Sequence, residues 1–216
     1  MSGAARPLAR LSTVDALVTA LRREILDGAL PAGSRLRERE LCERYAVARH
    51  SLRAALRALA GEGLVRIEPH RGATVSRLEP DEVCWLYELR AALELEAAHL
   101  ALERNEGRLP ESVHAALAAL RDACAGADPA WSAVNEAHSA LHAAIVGAAR
   151  SPRIARAHAA LSGEMRLFLL QLQPLLPADR LAADHVALVV GLERDGPPVL
   201  REHLRDAAER LVAEPI

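Results

Sequence analysis

Residues 37–69 read RERELCERYAVARHSLRAALRALAGEGLVRIEP, and this stretch decides the N-terminal fold. From Arg39 to Tyr45 the pattern is a short helix whose Leu41 points inward, and Ala46-Val47-Ala48 interrupts it. A second pattern follows at about 51–62, with Arg49 and His50 at its entrance. In it Leu52, Leu56 and Leu59 recur at three- and four-residue spacing, the signature of one buried helix face. Gly61-Glu62-Gly63 closes that helix. Two short strands are then expected, at 64–67 and 73–75, joined by Glu68-Pro69-His70-Arg71-Gly72. Two helices across a turn, followed by a strand pair, form a winged helix-turn-helix. In that geometry the second helix enters the major groove of double-stranded DNA and touches bases with its N-terminal residues, here Arg49, His50, Ser51 and Arg53.

Upstream, Leu11-Ser12-Thr13 precedes apolar residues at Val14, Leu17, Val18, Leu21, Ile25 and Leu26, so a helix capped by Ser12 or Thr13 and ended by Gly28 is expected. Downstream, Glu79-Pro80-Asp81-Glu82 opens a long helix with proline and carboxylates in the first turn, where the helix dipole favours them. Further helices are expected at 111–125, 129–148, 152–173, 177–194 and 198–213. The expected fold is mainly α: a winged helix-turn-helix over residues 1–78 and an antiparallel bundle of six or seven helices over residues 79–216.

Composition supports that division. Apolar residues make up 51% of the 216, yet aromatics only 2%, so the cores must be built from Leu, Ala and Val. Residues 1–78 carry 14 Arg against 8 acidic side chains, and residues 79–216 carry 13 against 21. A basic head on an acidic body suits a DNA-binding module joined to one that does not bind DNA. Three scattered cysteines, Cys42, Cys84 and Cys124, make neither a disulfide framework nor a metal motif and read as small core residues in a reducing compartment. Residues 1–14 lack an apolar stretch of signal-peptide length, and no uncharged apolar run of about 18 residues occurs, so a cytoplasmic protein without a membrane span is expected.

Nine histidines form the second signal. His138 and His142 are four apart and project from one helix face, about 6 Å apart along its axis. His185 and His203 fall on successive helices that the Asp195-Gly196-Pro197-Pro198 turn would make antiparallel. Three helices can thus aim imidazoles at one point, a donor set suited to zinc, nickel, copper or iron. His99, His114 and His158 are assigned to no site, and Trp85 and Trp131 to the core or an interface.

The stretches ILDGALPAGSRLRERELCERY, VARHSLRAALRALAGEGLV and PHRGATV, over about residues 12–77, resemble the GntR-type transcriptional regulators. That resemblance implies operator contacts by Arg39, Arg49 and Arg53, with the wing tip His70, Arg71 and Gly72 reaching the minor groove. His50 stands where the family usually has Thr and Ala48 where it usually has Ser, which would shift base preference. LYELRAALELEAAHLA, ALHAAIVGAARSPRI, DHVALVVGLERDG and LREHL resemble the ligand-sensing helical bundle (FCD) of the fatty-acid-regulator branch. There the resemblance implies a divalent metal on an Asp and three His. The three His map onto His142, His185 and His203, and His138 replaces the Asp, which favours zinc or nickel. It further implies that Arg90 helps hold a small carboxylate effector, although Arg90 and Glu94 are also spaced as a plain helix ion pair.

The resulting expectation is a homodimeric, cytoplasmic regulator and no enzyme, gripping a two-fold operator under the control of a small carboxylate. Three rivals remain at this level: a regulator whose effector is the metal itself, a metal-dependent hydrolase, and an architectural DNA-binding protein. The hydrolase lacks an evident general base beside the histidines and leaves the winged head without a purpose.

Overall fold

The computed structural model describes residues 12–213. Leu11, expected at the entrance of the first helix, lies outside the described residues, as do the rest of residues 1–11 and residues 214–216 of the second expected domain. The chain divides into two compact units between Ser76 and Arg77.

In the first unit the elements are α1 (Thr13–Leu26), β1 (Arg35–Leu36), α2 (Glu38–Tyr45), α3 (Arg49–Gly61), β2 (Val65–Glu68) and β3 (Gly72–Val75). Ser12 and Asp15 close a capping box on α1: the Asp15 N–H donates to the Ser12 hydroxyl at 3.1 Å and the Ser12 N–H donates to the Asp15 carboxylate at 3.2 Å. Ala46 ends α2 in the left-handed region (φ 51, ψ 44), so the chain turns at once into α3. Leu21, Ile25, Leu52, Leu56, Leu59 and Leu64 fill the core of this unit. The helix expected at about 51–62 begins two residues earlier, so Arg49 and His50 form its first turn rather than its approach. The wing also differs. It is a three-stranded antiparallel sheet in the order β1-β3-β2, with Arg35 opposite Thr74 and Ile67 opposite Ala73. A two-residue strand has no periodicity of its own, and β1 exists because β3 offers it a ladder.

Seven helices make the second unit: α4 (Pro80–Arg104), α5 (Glu111–Ala123), α6 (Trp131–Ala148), α7 (Pro152–Ala160), α8 (Ser162–Leu172), α9 (Ala178–Asp195) and α10 (Pro198–Ala213). Glu79 and Glu82 form the capping box of α4, whose N1 position is Pro80. The single helix expected at 152–173 is instead two, parted at Leu161 just ahead of Ser162-Gly163. Glycine is a poor helix former, and packing makes the break worthwhile. His158 of α7 is buried on its side of the break, and Met165, Phe168 and Leu172 of α8 are buried beyond it.

Helices α9 and α10 run antiparallel across the Gly196 turn. Gly191 lies against Val199 near the turn, and Arg210 reaches back to Asp184 at 3.0 Å. The shared core gathers Leu141, Ile145, Phe168, Leu188, Leu192 and Leu204. Of the cysteines, all free, only Cys124 is buried; Cys84 is exposed, contrary to the core role expected of all three, because it falls on the outer face of α4. Trp131 packs on the core, whereas Trp85 is 64% exposed. Among the described residues no helix is long and apolar enough to cross a membrane.

Candidate functional sites

Inside the second unit, α6 supplies His138 and His142, one turn apart and both buried, and α9 supplies His185, 3% exposed. One ring nitrogen from each lies within 4.8 Å of the others. His203, on α10, adjoins them with its ring centroid 4.6 Å from that of His185 and 5.8 Å from that of His142. The four histidines singled out from spacing therefore meet at one place.

The hydrogen bonds decide what this cluster offers. Nδ1–H of His185 donates to the Leu181 carbonyl at 2.7 Å. Nδ1–H of His142 donates to the Glu94 carboxylate at 2.8 Å. Both acceptors can only accept, so in each neutral ring Nε2 carries a bare lone pair. These two Nε2 atoms face each other at 3.2 Å. Burial lowers His142 against the opposing pull of Glu94 and, reinforced by the neighbouring imidazoles, holds His185 at about 3 and His138 and His203 well below the usual imidazole range, so no proton is retained between the lone pairs near neutrality. Opposed lone pairs at that distance suit a divalent cation. Two nitrogens each about 2.0–2.1 Å from zinc stand about 3.3 Å apart in a tetrahedral shell. The residues present thus fit the metal that the sequence suggested, with His138, His142 and His185 as the nearest donors and His203 beside them.

Behind the cluster, Arg90 and Glu94 of α4 are 2% and 0% exposed. Arg90 Nε donates to Glu94 Oε1 at 2.8 Å, so the helix ion pair that the spacing allowed is present and entirely buried. Burial alone would raise the Glu94 carboxyl, but the Arg90 guanidinium, followed by His142 and His158, holds it well below the usual carboxylate range. His158 Nε2–H donates to Glu94 Oε1 at 3.1 Å. His158 was expected at no site, and its sixty-four-residue separation from Glu94 leaves no local signal that could have found it. Nη2 of Arg90 is buried without a hydrogen-bond partner. Arg90 lines a cavity of about 240 Å³ together with the four histidines, with Phe168 and Leu172 as apolar wall and Arg180, Asp184 and Arg210 among its polar residues. That volume exceeds a single water many-fold and fits a small organic molecule.

In the first unit, Arg39, Arg49, His50 and Arg53 are all exposed, as are His70, Arg71 and Gly72 at the wing tip. His70 adopts φ 65, an unusual angle for a side chain of its size, and the turn it makes presents the tip. Ser51 differs: it is 9% exposed and lies on the inward face of α3 beside Leu52. Arg53 Nε donates to both carboxylate oxygens of Glu38, at 2.9 and 3.1 Å. Arg71 pairs with Glu68 at 3.2 Å.

Comparison with known proteins gives a consistent result. A family model described as bacterial regulatory proteins, gntR family, matches residues 13–75, and an FCD domain model matches residues 85–212. A probable D-xylose utilization operon transcriptional repressor of Paenarthrobacter nicotinovorans is 30% identical over 203 residues, 94% of this chain and 88% of that protein. The gluconate operon transcriptional repressor of Bacillus licheniformis is 34% identical, over 40% of this chain and 35% of its own length. Among solved structures, a putative transcriptional regulator from Rhodococcus sp. RHA1 superposes with a TM-score of 0.75 at 24% identity, covering 93% of this chain and 97% of that one. McbR/YncC of E. coli gives 0.68 at 20% identity, covering 94% and 97%. These structural likenesses speak for the fold alone.

Proposed function

This chain belongs to the gntR family of bacterial regulatory proteins and carries an FCD domain, which makes it a transcriptional regulator; we propose that a small carboxylate metabolite, held beside a divalent cation in the helical bundle, sets its grip on a two-fold DNA operator. The observation that carries the reading is the convergence of three buried imidazole nitrogens within 4.8 Å, beside a cavity that Arg90, whose Nη2 has no hydrogen-bond partner, also lines. His138, His142, His185 and His203 hold the cation, zinc or nickel being the best match to an all-imidazole donor set. When bound, the cation supplies positive charge against which a carboxylate can be desolvated, and Arg90 Nη2 supplies a donor for one of its oxygens. The apolar wall fits the carbon skeleton. Arg39, Arg49, His50 and Arg53 face the operator together with the wing tip, and Ser51 acts through the packing of α3.

A homodimer suits a two-fold operator. The exposed Trp85 and Leu89 beside the apolar groove between α4 and α10, where Ala92 and Ala208 leave room, are consistent with a self-complementary patch. Coupling between effector and operator sites is typically about 1–3 kcal/mol and reciprocal, so operator DNA should weaken effector binding by the factor by which effector weakens DNA binding.

The test is metal analysis of the purified protein alongside titration of a duplex selected by that protein from a random pool, with and without chelator. Stoichiometric zinc or nickel and an operator affinity that responds to small carboxylates only in the metal-loaded protein are expected. A response to metal with none to carboxylates would make the ion the effector, and a metal-free protein with full carboxylate response would remove the cation.

A further inference from the structure

The Glu94 carboxylate is bonded to a ring of the histidine cluster, and donors from three helices converge on it. Arg90 from its own helix α4 and His158 from α7 both donate to Oε1, at 2.8 and 3.1 Å. His142 from α6 donates to Oε2 at 2.8 Å. We propose that Glu94 and His158 are positioning residues of the cation site: Glu94 fixes His142 in the tautomer that leaves Nε2 bare, and His158 holds Glu94 in place to do so. The proposal rests on the cation reading above for its ligand, but not for its geometry.

The argument is one of proton placement. A neutral imidazole carries one N–H, and whichever nitrogen donates leaves the other as a ligand. Carboxylate at Nδ1 therefore commits Nε2 of His142 to the cluster, where it lies 3.2 Å from Nε2 of His185. A ligand histidine oriented by a carboxylate binds metal more tightly, and loss of such a partner typically costs about 10–100-fold in affinity. Oε1 would be free to rotate towards Arg90 alone were it not also tied to α7. His158 adds the second fixed donor, from a different helix, and a carboxylate held at both oxygens from three helices has one orientation left. The pairing of Arg90 with Glu94 also makes the group neutral as a whole, which offsets part of the cost of burying an anion behind the site.

The experiment loads the full-length protein with Co²⁺ and reads its visible spectrum and its affinity by competition with a chelating dye. In parallel, nitrogen-15 NMR of the histidine rings reports which nitrogen of His142 is protonated in the metal-free protein. His158→Leu is expected to weaken cobalt binding about 10-fold, and His158→Gln, whose amide can donate to the same oxygen, to restore it to within about 3-fold. In Glu94→Gln the amide oxygen must face Arg90, which needs an acceptor. The amide N–H then faces His142 and turns its tautomer over, with an affinity loss of about 10–100-fold. If Glu94→Gln does not fold, the His158 pair carries the test by itself. Cobalt affinity and a His142 tautomer unchanged in His158→Leu would overturn the proposal. Wild-type protein that takes up no cobalt, yet shows a His142 tautomer that shifts in the variants, would remove the cation while leaving the positioning role in place.

Discussion

Arg53 meets the solvent already engaged, because both oxygens of Glu38 accept from its Nε. An arginine donating two bonds to guanine is typically worth about 1–3 kcal/mol of base discrimination, whereas a phosphate contact alters affinity and salt dependence without altering preference. Titrations against a selected operator and a scrambled duplex separate the two roles. Arg49→Ala is expected to lose most of the preference between them, and Arg39→Ala to weaken both about equally with a shallower salt slope. An unchanged preference in Arg49→Ala would remove Arg49 from base reading. Glu38→Gln takes one negative charge from the DNA-facing surface and unbraces Arg53, so scrambled-duplex affinity should rise while the ratio between operator and scramble falls. At this scale the sequence was legible where spacing is local. His138 and His142 share a helix face by being four apart, and the exposed arginines follow from the periodicity of α3. Glu94 reaches His142 and His158 only through the packing of α4 against α6 and α7, and no residue-level pattern announces that. Ser51 falls inward because it lies four and eight residues before Ala55 and Leu59 on α3, on the row of that helix buried in the core.

The pairing of α9 with α10 is what brings His185 to His203, and Gly191 is one of its contact points. A Cβ on Gly191 would come within 2.8 Å of Val199 Cγ1, on a β-branched side chain with little freedom to move aside. Alanine is the better helix former by about 1 kcal/mol, but overpacking a tight crossing typically costs about 1–3 kcal/mol, so the clash should win. Gly191→Ala is therefore expected to lower the thermal midpoint, and adding Val199→Ala to recover part of the loss. A single variant as stable as the parent would mean that the two helices separate freely. Helices with clear punctuation were readable as elements: proline or glycine marks most of the helix boundaries in the bundle, and the start of α10 at Pro198 was legible to the residue. The break at Leu161 was not, because residues 152–173 hold a helical pattern throughout and only burial of His158 and Phe168 on either side of it divides them. Strand β1 was missed for a related reason: pairing with β3 creates it.

For the molecule as a whole, four imidazoles kept neutral in the bundle tie folding to acidity. Burial comes first in lowering all four, with the neighbouring rings next for His138, His185 and His203 and with Glu94 opposing it at His142; His185 falls from 6.5 to about 3. An unfolded chain takes up protons on these groups as the pH falls below about 6.5, and the folded chain does not, so stability present above that pH is lost on the way down. Glu94, held low by Arg90, adds to the loss below the carboxylate range. Thermal melts of chelator-stripped protein should be level between about pH 8 and pH 7 and fall steeply by about pH 5, with more than one proton taken up on unfolding. A flat profile down to pH 5 would mean that the cluster opens to water. The two-unit plan, the winged head and the helical body were legible because composition and charge change together along the chain. The Arg90–Glu94 pair has a consequence of a different kind, for descent. Loss of one partner strands a buried charge at a cost of about 3–5 kcal/mol, a large part of the roughly 5–15 kcal/mol that holds a domain together. A lineage can discard the two together far more easily than one at a time, and single mutations almost never do that. Arg90 and Glu94 should accordingly pass from ancestor to descendant as one heritable unit, while Leu172, Leu176 and Ala207 around the cavity drift and let related proteins answer to different small molecules.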